Sequence, residues 1–181
     1  MPITVTGLLD ALQVSAASYD RADLVDAAQK LNDKPPPPAP EVVCHGDLHP
    51  FNLLADGEQV TVLDWSAALL APRAYDIAFT TLMLAEPPLH VHGALRPIVR
   101  RAGRRLARRF ARHYREHTNA TIGPQELHWH QAVVCLRALV EVAGWAHAGI
   151  IGERMGHPWL VSGPALAARL NSVAGTSVRA R

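Results

Sequence analysis

Apolar residues recur at helical spacing over 5–31, where Leu8, Leu9, Leu12, Leu24, Val25, Ala28 and Leu31 predict one leading helix. The run Pro35-Pro36-Pro37-Pro38-Ala39-Pro40 ends it, because proline lacks the N–H that helices and central strands use, and predicts a stiff extended connector. Short apolar stretches follow. Glu41–Cys44, Asn52–Ala55 and Gln59–Leu63 predict three short strands, the last two joined at Asp56-Gly57 as a hairpin. Beyond Asp64-Trp65 the pattern predicts helices only, over 74–86, about 95–117, 124–148 and 163–174. Pro87-Pro88, Gly123-Pro124 and the Gly/Pro-rich 149–164 separate them. The helix over 124–148 is apolar on several sides, with Trp129, Val133, Leu136 and Val140 on one stripe, so it is expected to be the buried spine. The predicted fold is mainly α with a small β-hairpin patch, an α+β class, in a single domain over 1–181. Its parts are a leading helical segment 1–34, the connector 35–40, a loop-and-hairpin unit 41–66 and a helical subdomain 74–175.

Composition narrows the setting. With 49% apolar residues in 181, the chain can bury a core of its own. No run of 18 apolar residues occurs, and no basic segment precedes the first apolar stretch, so neither a membrane span nor a signal peptide is predicted. Cys44 and Cys135 lack CxxC spacing, which points to a reduced, cytoplasmic protein. Charge is divided unevenly: residues 1–85 hold 11 acids against 4 Lys/Arg, and residues 86–181 hold 5 acids against 14 arginines. Nine of those arginines lie between Arg96 and Arg115. There Leu95, Ile98, Val99, Ala102, Leu106, Phe110 and Tyr114 are expected to form the packed face, with the arginines solvated.

The chemistry concentrates in Cys44–Leu54, CHGDLHPFNLL. His45, Asp47 and His49 alternate as zinc ligands along a strand would, but no second His/Cys/Asp cluster follows to complete a site. A polar turn built on Gly46 and Pro50 leaves unexplained why Asp47, Asn52 and Asp64 bracket a hairpin. Phosphoryl transfer accounts for all three. It needs a group to orient the attacking hydroxyl and oxygen ligands for magnesium, in the spacing H-x-D-x-x-x-x-N followed by a further Asp at the end of a strand. A hairpin over Asn52–Leu63 brings Asn52 and Asp64 together.

The segment HGDLHPFNLLADGEQVTVLDWSAALLAPRAYDIA resembles the aminoglycoside phosphotransferase/choline kinase-like family, whose fold is protein-kinase-like. The matching pieces are His45–Asn52, Leu63-Asp64-Trp65 and Tyr75-Asp76-Ile77-Ala78. The resemblance implies Asp47 as the residue that orients and deprotonates the substrate hydroxyl, with His49 beside the transferred phosphate as a second catalytic candidate. It implies Asn52 and Asp64 as magnesium ligands, and His45 and Asp76 as structural support of the loop. Phe51 stands where the family pattern has glycine; it either meets a demand for positive φ or close backbone approach at a cost, or forms a wall of the substrate cleft.

The implied donor is ATP or another NTP with Mg²⁺, and the implied acceptor a hydroxylated small molecule of the aminoglycoside/choline type. The acids beyond residue 86 are too few to favour a polycationic acceptor. The resemblance is to the C-terminal lobe: no Gly-rich loop precedes His45, and Lys30 and Lys34 stand on a helix end and at the proline run. An N-terminal ATP-clamping lobe is therefore expected to be absent, and the isolated chain weak or inactive. The alternative is a non-catalytic binding or scaffold remnant of the same fold. A complementing N-terminal lobe or a second copy of the chain are the macromolecular partners considered; nucleic acid and membrane are not expected.

Overall fold

A computed structural model describes residues 3–87, 93–118 and 121–180. Its elements run α1 (Val5–Ser18), α2 (Ala22–Asp33), β1 (Glu41–Cys44), β2 (Leu53–Asp56), β3 (Gln59–Val62), β4 (Leu69–Pro72), α3 (Ala74–Ala85), α4 (Arg96–Thr118), α5 (Pro124–His147) and α6 (Pro158–Ala174). The chain is thus mostly helical with two small sheets, an α+β arrangement.

The leading segment is two helices rather than one. Thr4 caps α1 by accepting from the Gly7 N–H, and Val5, Leu9, Leu12 and Ala16 form its buried stripe. Continuing that helix would carry the stripe onto Asp20 and Asp23, and carboxylates do not enter an apolar core unpaired. The chain turns instead at Asp20, whose φ is 57°. Asp23 then receives the Arg21 guanidinium at 2.8 Å and the Arg179 N–H at 3.1 Å. α2 presents a fresh stripe of Leu24, Ala27, Ala28 and Leu31, and both helices pack on α5.

β2 and β3 form the expected hairpin, with Gly57 in the turn at φ 58°. A strand beyond Trp65 was not predicted: β4 pairs antiparallel with β1, Cys44 opposite Leu69 and Glu41 opposite Pro72. Ala67–Ala71 has helix-forming composition, but β1 carries backbone groups that must be paired, and the alternating burial of Leu69 and Ala71 answers that demand.

α5 is buried along most of its circumference, from His130 to Ala143, and is the spine against which α1, α2, α3 and α6 pack. α6 begins at Pro158, earlier than the expected 163, because the His157 ring accepts from the Trp159 N–H and Pro158 suits the first helical position. The arginine-rich α4 also differs from expectation. Its buried residues are Gly103 and Ala107, while Leu95, Ile98 and Leu106 stay 51%, 64% and 53% exposed. A Cβ on Gly103 would meet the Leu84 carbonyl oxygen at 2.1 Å, so the smallest residues, not the largest, set the contact with α3. Pro88, named above as part of a break between helices, lies outside the described residues. No helix among the described residues is long and apolar enough to cross a membrane.

Candidate active site

Two short loops carry the residues singled out from the sequence. His45–His49 leaves β1, and Asp64 follows β3. The first loop is tied to the helices behind it. Asp76, in the first turn of α3, accepts from the His45 and Gly46 N–H groups, each at 2.8 Å. One turn further along α3, the Thr80 hydroxyl donates to the Leu48 carbonyl at 2.7 Å. Arg137, a lone cation within buried α5, donates to the Gly46 carbonyl at 2.9 Å. Gly46 itself sits at φ 77°, and a Cβ there would lie 2.2 Å from the Ala67 carbonyl oxygen. Only glycine fits.

His45 joins the two loops. Its Nδ1 accepts from the Asp47 N–H at 3.2 Å, which fixes the proton on Nε2, and Nε2 donates to the Leu63 carbonyl at 2.7 Å. One buried ring therefore connects the backbone of Asp47 to the residue before Asp64. Both ring nitrogens are committed to backbone, so His45 has none left for zinc. Trp65 stacks obliquely on the same ring at 4.9 Å.

Asp47, His49 and Asn52 stand together. His49 Nε2 lies 3.6 Å from Asp47 Oδ2, and the Asn52 amide nitrogen donates to the Asp47 carbonyl at 2.9 Å and its carboxylate at 3.3 Å. Both partners of that nitrogen are acceptors, so the orientation of the amide is forced. Its oxygen points elsewhere, with no donor among the described residues. The Asn52 carbonyl accepts from the Leu63 N–H at 2.8 Å, bringing the chain of Asp64 alongside.

Asp64 has left-handed backbone, φ 56°, and is exposed. The Ser66 hydroxyl and N–H both donate to its Oδ1, and they hold its carboxyl below the ordinary range. It stays ionised at neutral pH.

Among the described residues no group of three or more His, Cys, Asp and Glu side chains is arranged to hold a metal. Magnesium does not demand one: it takes one or two protein carboxylates and completes its shell with phosphate oxygens and water. An ionised Asp64 and the Asn52 amide oxygen, which accepts no hydrogen bond among the described residues, suit that chemistry.

Phe51 lies in a single 3-10 turn over Pro50–Asn52, and positive φ among the described non-glycine residues is confined to Asp20 and Asp64. Its side chain is also largely exposed, so neither positive φ nor close backbone approach asks for glycine at this position. Cys44 turns inward toward the Ala71 and Pro72 carbonyls at 3.6 Å, and burial pushes its thiol up to about 12, so it is no nucleophile.

Thr80 and Arg137 were not among the residues picked from the sequence. Thr80 was findable, being four residues after Asp76 on the same helix face, and an arginine alone in an apolar helix was the trace left by Arg137.

The family model described as the phosphotransferase enzyme family matches residues 5–130, more than two-thirds of the chain. The chain belongs to that family. No curated protein and no solved structure matches it. Family membership makes its activity phosphotransferase-like, and the matched span contains the loop residues described here but not Arg137 of α5.

Proposed function

We propose that this member of the phosphotransferase family carries the hydroxyl-binding and metal-binding half of an ATP-dependent small-molecule O-phosphotransferase, the C-terminal lobe of a kinase-like fold. The observation that carries this is the clamp Asp47–Asn52, braced through His45 to the start of Asp64. Phosphoryl transfer asks little covalent chemistry of a protein and much positioning, and this loop is positioned from three sides.

Asp47 orients the acceptor hydroxyl and takes its proton. The hydroxyl oxygen bonds to the γ-phosphorus as the bond to the departing ADP oxygen breaks. His49, close to Asp47, faces the transferred group and supplies a ring N–H to its oxygens. Family members generally use ATP and Mg²⁺. Asn52 and Asp64 would hold the metal, which supplies neutralisation of the phosphate charge when bound. The β2–β3 hairpin presents Leu54, Val60 and Trp65 at 59%, 61% and 50% exposure, together with Leu63 at 43%. Such a surface suits the nucleotide base and a β-rich lobe supplying the phosphate clamp, and turnover by these residues alone is proposed to be weak.

Thermal-shift titration with Mg·ATP tests the proposal. Stabilisation that disappears in Asp64→Ala is expected. No response at any concentration, in the wild-type chain, would instead favour a binding or scaffold protein without turnover.

A further inference from the structure

Phe51 is the most exposed large apolar residue among those described, at 88%, yet it is not on a floppy segment. Its turn is closed by the Asn52 N–H donating to the His49 carbonyl at 2.9 Å, and Pro50 restricts the backbone before it. Asn52, immediately after, is pinned by its amide to Asp47. The Phe51 ring stands edge-on to His49 at 6.0 Å, and His49 in turn lies 3.6 Å from the Asp47 carboxylate. A flat apolar surface is thus held in water, one ring away from the carboxylate proposed to receive the hydroxyl proton. Aromatic rings placed this way gain most when a ligand covers them.

The charges nearby argue in the same direction. A polycationic acceptor needs free carboxylates around Asp47. Glu86 is paired with Arg100 at 2.7 Å, and Glu141, still charged, is held by the Trp159 indole N–H at 3.0 Å, so a single carboxylate accompanies Asp47 beside His157. The rest of the neighbouring rim is aromatic and basic. His157 stands within electrostatic reach of Asp47 and packs edge-on against Trp145 at 4.5 Å, and Arg154 covers Trp145 at 5.7 Å. His157 accepts the Trp159 N–H through Nδ1, which leaves its Nε2–H as a fixed donor toward an acceptor oxygen.

We propose that Phe51 determines acceptor specificity, and that the acceptor is an uncharged hydroxyl compound bearing an apolar or aromatic ring, stacked on Phe51 with its hydroxyl at Asp47. This rests on the phosphotransferase assignment of Asp47. It differs in substrate class from what the resemblance to aminoglycoside kinases implies.

The test uses the full chain, the variants Phe51→Gly and Phe51→Trp, and three probes: 4-nitrophenyl β-glucoside, a polycationic aminoglycoside, and ADP. Binding is followed by ligand-observed NMR and calorimetry, with Mg·ATP thermal shift in parallel. The expected result is preference for the aryl glucoside over the aminoglycoside, about tenfold weaker binding of it in Phe51→Gly, and recovery in Phe51→Trp. Because the side chain is exposed, both variants should keep the wild-type melting temperature. Equal aryl-glucoside affinity in Phe51→Gly, or tighter aminoglycoside binding in the wild type, overturns the proposal. Loss confined to ADP assigns Phe51 to the nucleotide base and overturns it as well. A normal Mg·ATP response accompanying any of these leaves the phosphotransferase assignment standing; absence of that response with aryl binding intact strikes the assignment alone.

Discussion

Asp76 shows how much one side chain can fix. Two adjacent N–H groups, His45 and Gly46, point at its two oxygens, and without it both would face an apolar interior unpaired. Leaving buried donors unsatisfied costs about 1–3 kcal/mol each. Asp76→Ala should therefore destabilise the protein by about 2–4 kcal/mol and abolish the Mg·ATP response, as read by urea unfolding and thermal shift. Asp76→Asn retains one acceptor and should lose roughly half as much. An equal loss in both variants would show that the charge, not the two bonds, matters. Gly46→Ala is predicted to be as damaging by another route, since φ 77° and the Ala67 carbonyl exclude a Cβ. The lowered melting temperature should be accompanied by loss of the Mg·ATP shift. Residues whose chemistry is local were legible in the sequence: His45, Asp47 and Asn52 stand out by their spacing, and one hydrogen-bonded loop holds all three. Arg137 was not, because its partner lies 91 residues away and only packing of α5 against the loop reveals it.

At the scale of elements, periodicity located the helices but misjudged the face that α4 buries. α4 was expected to pack through its larger apolar residues. It packs through Gly103 and Ala107, with Val99, Phe110 and Tyr114 half-buried beside them. Hydrophobicity alone cannot rank faces when a neighbouring backbone comes close, because the approach distance selects for small side chains. Gly103→Leu should force α4 away from α3 by colliding with the Leu84 carbonyl, whereas Ile98→Ser, on a side chain 64% exposed, should be nearly neutral. A melting temperature for Gly103→Leu within a degree of wild type would contradict this packing. β4 escaped notice for a related reason: a strand of four residues declares itself through its partner, and β1 and β4 are separated by the whole site. The break at Asp20 was legible in principle, in the two aspartates that a continuous stripe would have buried.

Across the whole molecule, acid sensitivity should originate in the spine rather than in the site. His130 is 1% exposed, neither ring nitrogen has a partner among the described residues, and it lies among the rings of Tyr75 and Trp129. Burial lowers its pKa from 6.5 to about 4. The folded protein keeps the ring neutral, while the unfolded chain binds a proton near pH 6.5. The stability this group permits is complete above 6.5 and is lost as pH falls from 6.5 toward 4, where the loss reaches about 3 kcal/mol. His128 and His157, also shifted downward chiefly by burial, act in the same direction. His130→Phe preserves a ring against Tyr75 and Trp129 and removes the titrating nitrogens. Its unfolding free energy, measured by urea at pH 7.5 and 4.5, should fall markedly less between the two than that of the wild type. Parallel falls would place the acid-labile group elsewhere.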